Sequence, residues 1–157
     1  MPRPIDELDA RLLELLDEQP KVGVLEASRQ LGVARGTAQA RLDRLQRAGV
    51  ITSLAPTLDP AALGYPVTAF VSVEITQGQG HVPVTEHLQS VPEVLEAHTT
   101  TGSGDMLIRV VARDHGDLQR VINTIVDGTH VLRASTVVAL ETQVPLRTLP
   151  LVRAALR

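Results

Sequence analysis

Hydrophobic residues in the first third of the chain recur at helical spacing in three short runs. The first run begins at Asp6, whose carboxylate can cap a helix, and ends before Pro20. The second ends at Gly32, a residue that can adopt the left-handed conformation that terminates a helix, and the third begins within three residues. This pattern, between Leu25 and Ile51, is typical of a helix-turn-helix. Its apolar positions are Leu25, Leu31, Val33, Ala38, Leu42 and Leu45.

The polar side of the third helix carries most of the positive charge of this region. Five arginines lie between residues 27 and 51, against one acid, Asp43. Residues near the N-terminus of such a helix can reach base edges in the major groove, whereas arginines further along contact phosphates. The alternative is a solvated basic face on an ordinary helical hairpin. We predict base contacts from Arg35, Gly36, Thr37 and Gln39, and phosphate contacts from Arg41, Arg44 and Arg47.

A proline-containing connector follows the helical part of the chain. Residues 51–54 are predicted to form a short extended wing or pairing strand, which would make the head a winged one. Residues 53–66 hold three prolines and cannot be one helix, so they are predicted to be a linker. The other predicted units are a DNA-binding head over residues 1–52, a second domain over 67–142 and a C-terminal tail over 143–157.

The hydrophobic period changes from helical to alternating at residue 67. Residues 67–75 alternate apolar with polar positions, as a half-buried strand does. Two later segments have helical periodicity. The first has Val84, Leu88 and Val91 on one face, and the second is capped by Asp114. The apolar runs beside these segments are predicted to be strands. The predicted order is strand, helix, strand, strand, helix, strand. The predicted strands cover 67–75, 94–101, 106–112 and 131–140, with a loop at 77–80.

That order is the ferredoxin-like plait, an antiparallel sheet with both helices on one face, so the predicted fold class is α+β. Apolar side chains such as Phe70 fall on the opposite face of the sheet, where a second copy of the chain would bury them in a two-fold dimer. A dimer of helix-turn-helix heads would reach two half-sites on double-stranded DNA, about 34 to 36 Å apart.

Charge and composition narrow the function classes. The chain has a formal net charge of −3, and residues 53–157 hold seven basic and ten acidic residues, so the positive field is confined to the helical region. There is no cysteine, which excludes disulfides and cysteine-bearing zinc sites. With Tyr65 and Phe70 as the only aromatic residues, stacking platforms for single-stranded nucleic acid are not expected. No signal peptide or apolar run of roughly 18 residues is found, so we expect a cytoplasmic protein without a membrane partner.

Several short motifs follow one another in order along nearly the whole chain. Their order and spacing resemble those of the leucine-responsive and asparagine-responsive regulators, the Lrp/AsnC family. The chain departs from the pattern of that family at Ala34, where a capping Ser is common. The motifs are Asp6 and Asp9 before Leu12 and Leu13, Leu31-Gly32-Val33, Arg41-Leu42, Leu45 before Gly49-Val50-Ile51, Leu58-Asp59-Pro60 before Leu63-Gly64, Gly102 before Asp105 and Leu107 to Ala112, and Pro145-Leu146 before Leu149-Pro150-Leu151.

The resemblance implies a transcriptional regulator that assembles as dimers and often as an octameric ring of dimers. It also implies that the plait is a RAM-type domain binding an amino acid or similar effector between subunits. Backbone N–H groups exposed by the glycines of one turn could hold a carboxylate, and Asp105 could hold an ammonium. The alternative is a plain tight turn. The expected effector residues are Thr100, Thr101, Gly102, Ser103, Gly104 and Asp105, with Thr136 closing the pocket from a neighbouring subunit.

Two other functions stay open. Siroheme decarboxylases share a similar two-domain plan, and their plait dimer binds a tetrapyrrole. The five histidines of this chain show no HExxH pattern or close metal pair, and no paired carboxylates or Ser-His-Asp order stand out, so we expect no enzyme, metal or cofactor. The second alternative is an oligomeric scaffold that does not bind DNA. It is distinguished by whether Arg35, Arg41 and Arg44 lie on one exposed face.

Overall fold

The computed structural model describes residues 5–76, 82–127 and 131–156. The chain forms two compact units, one made of Met1–Pro56 with Val144–Arg157 and one made of Thr57–Gln143. The predicted loop at residues 77–80 lies outside the described residues. Of the helices described, none combines the length and the apolar character that a membrane crossing requires.

The N-terminal unit contains the three predicted helices, α1 (Glu7–Glu18), α2 (Val24–Leu31) and α3 (Arg35–Arg47). Gly32 has a φ of 70° and ends α2, as predicted. Ala34 precedes α3 and provides no side-chain cap. The helices pack around a core of leucine and alanine. The buried members of that core are Leu12, Leu15, Ala27, Leu31 and Leu45.

Asp6 and Asp9 form a reciprocal capping box at the start of α1. The backbone N–H of Asp9 donates to Oδ1 of Asp6 at 3.0 Å, and the backbone N–H of Asp6 donates to Oδ2 of Asp9 at 2.9 Å. Two N–H groups that have no partner inside the helix are satisfied in this way. The cap predicted at Asp6 is therefore confirmed, and Asp9 is a second member that the prediction placed only near the positive end of the helix dipole.

Residues 51–54 form no strand, so the predicted wing or pairing strand is wrong. A single extended segment needs a partner strand for its backbone groups, and every strand in the described part of the chain pairs within residues 67–139. Pro56 follows closely and cannot donate to a ladder. The head is therefore a helix-turn-helix without a strand-forming wing in the residues that the structure describes.

The second unit is the predicted plait, with its elements in the predicted order. The sheet is antiparallel, and across it the second strand of the chain comes first, followed by the third, the first and the fourth. The second strand ends at residue 99 instead of 101, and the fourth at 139 instead of 140. The elements are β1 (Val67–Ile75), α4 (Val82–Gln89), β2 (Val94–Thr99), β3 (Met106–Ala112), α5 (His115–Val126) and β4 (Val131–Ala139).

One face of the sheet is covered by the two helices and the other is open in this chain. Alternate residues of β1, such as Val71 and Val73, are fully buried and pack with residues of α4 and α5. The opposite face holds Phe70 and Leu107, each 37% exposed, and Val137, which is 67% exposed. Phe70 pairs in register with Val137 on β4, so these two side chains are neighbours on the open face.

A network of ion pairs joins α5 to the strands beside it. Asp117 accepts from Arg113 at 2.9 Å and from Arg120 at 2.8 Å, and Arg120 also pairs with Glu93. The hydrogen bonds from Arg113 hold the pKa of the Asp117 carboxyl well below its usual range. Every carboxylate of this network has a cationic partner, so we interpret the network as a structural one that holds α5 in place and not as a binding site.

A sixth helix, α6 (Leu149–Ala154), lies in the segment predicted to be the C-terminal tail. It belongs to the same unit as the three N-terminal helices and packs against α1. The guanidinium of Arg153 donates to Glu7 at 2.6 Å and also to both oxygens of Glu14. The head is therefore built from two separate stretches of the chain.

Candidate DNA-binding face and ligand turn

Helix α3 has a buried side and an exposed side, which fixes the residues that can meet a partner. Ala38 and Leu45 are 2% exposed and face the head core. The residues predicted to contact bases, together with Ala40 and Arg47, are exposed. These exposed residues, which we call the outward face, are Arg35, Gly36, Thr37, Gln39, Ala40 and Arg47, with the partly exposed Asp43 among them.

The centre of the outward face is nearly flat. Gly36 and Ala40 lie one turn apart there, and nothing lies within 4 Å of the position that a Cβ on Gly36 would occupy. With no long side chains at these positions, the helix backbone can come close to the floor of a groove. The major groove of B-form DNA, about 12 Å wide, admits a helix of this shape.

Arg41 and Arg44 are held by carboxylates of α1. Arg41 contacts both Asp6 and Asp9, and Arg44 contacts Asp9. The Asp9 side chain is fully buried, and the side chains of Arg41 and Arg44 are 30% and 31% exposed. The hydrogen bond from Arg41 also lowers the pKa of Asp6. These two arginines therefore do not share one exposed face with Arg35.

This pairing is not among the predictions from the sequence, which place Asp6 as a helix cap and Asp9 near the positive end of the helix dipole. A signal was present: Asp6 and Asp9 are three residues apart, and Arg41 and Arg44 are also three residues apart. Two helices that present matched charges at the same spacing can pair them side by side. The guanidinium Nε of Arg44 is buried and has no hydrogen-bond partner in the described part of the chain, so the attachment of this side chain there relies on Asp9.

Gln39, Asp43 and Arg47 form a chain of contacts along the outward face. The amide nitrogen of Gln39 donates to Oδ1 of Asp43 at 2.7 Å. The Nε of Arg47 donates to the backbone oxygen of Asp43 at 3.2 Å. The remaining nitrogens of the Arg47 guanidinium stay available to a phosphate.

The predicted effector residues from Thr100 to Asp105 lie together in the turn between β2 and β3. The backbone N–H of Thr100 donates to the backbone oxygen of Asp105 at 3.0 Å and closes the turn, and β2 ends at Thr99, two residues earlier than predicted. Oδ2 of Asp105 accepts the backbone N–H of Ile75 at 2.7 Å, so half of this carboxylate is bound to β1. Within the described residues, the backbone N–H groups of 101–104 donate to no protein acceptor.

Gly104 is the tightest point of this turn. A Cβ there would come within 2.2 Å of the Ser72 hydroxyl and 3.3 Å of the Val73 carbonyl oxygen, so glycine allows the turn to lie directly on β1. Gly102 has a φ of 115°, a conformation that glycine adopts without strain. Thr136, the other predicted effector residue, is on β4 at the opposite edge of the sheet from β2, with β3 and β1 between. The turn nevertheless contacts β1, and Thr136 pairs in register with Val71 on that strand, so strand order alone does not separate Thr136 from the turn.

Metal chemistry has no evident ligand set in the described residues. No three side chains among their histidines, aspartates and glutamates lie close enough together to hold a metal ion.

Sequence comparison assigns both units to known domain families. Residues 5–46 match the AsnC-type helix-turn-helix domain, and residues 68–149 match the Lrp/AsnC ligand binding domain. The first match covers α1, α2 and nearly all of α3, and the second covers the whole sheet with α4 and α5. Together they account for most of the chain.

Individual relatives agree with this assignment. The regulatory protein AsnC of Escherichia coli is 32% identical over 87% of this chain and 91% of its own length. The HTH-type transcriptional regulator FL11 of Pyrococcus horikoshii is 31% identical over 82% of this chain and 88% of its own length. Neither is named as an enzyme or a scaffold, so these relatives support neither alternative function. The expected shared face of Arg35, Arg41 and Arg44 is absent, so the comparisons, and not that criterion, favour DNA binding over the scaffold.

Solved structures share the fold over nearly the full length. The structure of Escherichia coli AsnC superposes with a TM-score of 0.84, covering 93% of this chain and 99% of that one at 30% identity. An AsnC family transcriptional regulator from Agrobacterium tumefaciens gives 0.83 at 26% identity, covering 94% and 97%. The matched domains, the relatives and the shared two-unit fold show that the chain belongs to the Lrp/AsnC family of DNA-binding transcriptional regulators.

Proposed function

We propose that this regulator binds double-stranded DNA by placing the outward face of α3 in the major groove. The observation that carries the proposal is the flat centre at Gly36 and Ala40, bordered by exposed side chains that can donate to bases and phosphates. Arg35, Gly36, Thr37 and Gln39 lie in the first turns of the helix, where a recognition helix contacts base edges. We assign these four residues to base contacts and Arg47 to a phosphate.

Arg41 and Arg44 are assigned a different role from the phosphate contacts expected from the sequence. Their guanidinium groups face the Asp6 and Asp9 carboxylates, and a phosphate would have to compete with a fully buried acid for Arg44. We infer that both arginines set the orientation of α3 on α1. Their effect on DNA binding is then indirect, through the position of the helix.

Salt dependence of DNA binding distinguishes these two roles. The slope of log affinity against log salt is negative, and each phosphate contact adds about 0.9 to its magnitude, because a condensed cation is released. Arg47→Ala is expected to reduce that magnitude by about 0.9, whereas Arg41→Ala is expected to weaken binding with the slope unchanged. The measurement is a fluorescence anisotropy titration of duplex DNA at a series of salt concentrations. A lower slope for Arg41→Ala together with an unchanged slope for Arg47→Ala would reverse the assignment.

We further propose that the protein is a dimer through the open face of its sheet. Phe70, Leu107 and Val137 are exposed there, and a two-fold axis brings the same surface of a second copy against them. Two leucines between β4 and α6 are also exposed, Leu140 at 98% and Leu146 at 84%. We propose that this apolar surface joins dimers into the octamer that the family resemblance implies.

The ligand of the second domain is proposed to be an amino acid or a related small molecule. Among residues 5–76, 82–127 and 131–156, no acceptor is found for the N–H groups of 101–104, and Asp105 has a second carboxylate oxygen besides the Oδ2 that is bonded to Ile75. Such a turn offers donors for a carboxylate and an acceptor for an ammonium. Thr136 of a neighbouring subunit is proposed to close this pocket.

A mixture of the twenty amino acids is expected to change the DNA affinity or the assembly state of the protein, and Asp105→Asn is expected to reduce that response. Asn keeps an oxygen for the Ile75 N–H but loses the charge that would attract an ammonium. Sedimentation of the protein with DNA, with and without the mixture, measures both quantities. The wild-type response persisting unchanged in Asp105→Asn would place the ligand elsewhere.

A further inference from the structure

The outward face of α3 carries an acid, Asp43, at a place where a polyanion would be bound. Its carboxylate forms no ion pair with any residue that the structure describes, although Arg44 and Arg47 are close in sequence. Its side-chain partner is the amide of Gln39 at 2.7 Å, and Arg47 bonds to its backbone oxygen instead. An unneutralised carboxylate repels phosphates, so general attraction to DNA does not account for this residue.

Asp43 is also placed towards the groove floor. It follows Ala40 by three residues and Gly36 by seven, and these spacings put all three on one side of the helix. The two small residues allow the backbone to approach the bases closely. The Asp43 carboxylate is then directed towards base edges in the groove, while Arg47, one turn further along, is free to contact the backbone.

The chemistry of a carboxylate restricts what it can contact there. An ionised Asp accepts hydrogen bonds and donates none. In the major groove the donors are the exocyclic amino groups of cytosine and adenine, whereas guanine and thymine present acceptors and no donor. Gln39 donates to Asp43, so the pair offers further acceptor capacity through the Gln39 carbonyl.

We propose that Asp43 is a specificity-determining residue that accepts a hydrogen bond from the exocyclic amino group of a cytosine or adenine, with Gln39 held beside it. This inference rests on the proposed function, because it requires α3 to lie in the major groove. Asp43 contributes in two opposite ways, since it favours a duplex with the amino group in place and disfavours every other duplex. Removing it is therefore expected to move cognate and random affinities in opposite directions.

The test is selection of binding sites from a random duplex library by the wild type, Asp43→Ala and the control Glu18→Ala. Glu18 is exposed near the end of α1, and its replacement changes the charge of the head by the same amount. One cytosine or adenine position fixed by the wild type is expected to become degenerate in Asp43→Ala. The affinity of Asp43→Ala for the wild-type site is expected to fall by about 5-fold to 150-fold, and its affinity for random duplex to rise. Glu18→Ala is expected to select the wild-type sequence.

Asp43→Ala selecting the same sequence as the wild type, or changing both affinities in one direction as Glu18→Ala does, would overturn the inference. The identity of the degenerate position distinguishes cytosine from adenine. The variant Asp43→Asn keeps the size of the side chain and one acceptor oxygen, so it is expected to retain more of the preference at that position than Asp43→Ala; retaining less would contradict the inference. Binding of the wild type to duplex DNA at low salt is measured before any variant is compared. A wild type that binds no duplex under these conditions would reject the proposed function.

Discussion

Asp9→Asn is expected to lower the free energy of opening of the DNA-binding head by about 3 kcal/mol. Asn preserves the size of the side chain and can still accept the Asp6 N–H, but it removes the charge that Arg41 and Arg44 share. Breaking a buried ion pair costs about 3 to 5 kcal/mol, and the partial exposure of both arginines puts this change at the lower end. Hydrogen exchange of the α3 amides measures the opening of the head separately from the plait.

The matched control for this change is Asp17→Asn on the same helix. Asp17 is exposed, and surface substitutions of this kind stay within about 0.5 kcal/mol. The DNA affinity of Asp9→Asn should fall because α3 is less firmly held, with its salt slope near that of the wild type. Equal protection of the α3 amides in Asp9→Asn and Asp17→Asn would show that the buried carboxylate does not hold the recognition helix.

Val137→Glu is expected to raise the dissociation constant of the proposed dimer at least about 100-fold. Val137 is 67% exposed on the open sheet face beside Phe70, and a two-fold axis would bury the new charge once on each side. Burying an unpaired carboxylate costs several kcal/mol, which exceeds the 2.8 kcal/mol or so that 100-fold represents. Sedimentation velocity over a range of protein concentrations measures the constant.

Val82→Glu provides the control, because Val82 is 66% exposed but lies on α4, on the covered side of the sheet. It adds the same charge to the same residue type at nearly the same exposure, and it is expected to leave the dimer intact. A wild type that sediments as a monomer would reject the proposed dimer. A dimer that tolerates Val137→Glu as well as Val82→Glu would have to use a different surface.

The elements of the plait could be predicted from the sequence because each has a local signal. The strand β3 coincides with an apolar run that follows the turn at Gly102 to Asp105, and the residue before α5 is the predicted cap Asp114. The end of β2 was predicted two residues too late. Thr100 and Thr101 have strand-forming side chains, and the first local signal of the turn is Gly102, whose φ is 115°.

Contacts between distant positions could not be predicted in the same way. Helix α6 has six residues and a proline near its start, so its own sequence is a weak signal. Its main polar contacts, from Arg153 to Glu14 and Glu7, join residues 139 and 146 positions apart. The sequence likewise indicates that Arg41 and Arg44 are charged, but only the packing of α3 against α1 identifies Asp9 as their partner.

The attachment of α6 to α1 bears on how heads could be exchanged between regulators of this family. Because the head comprises residues from both sides of the plait, the plait is topologically an insertion within it. A chimera that takes only residues 1–56 from another regulator would combine the first three helices of that regulator with α6 of this chain. Arg153 would then face the residues of the other regulator in place of Glu7 and Glu14. A functional transplant therefore requires two matched segments, and the compatibility of α1 with α6 becomes a design constraint independent of DNA sequence.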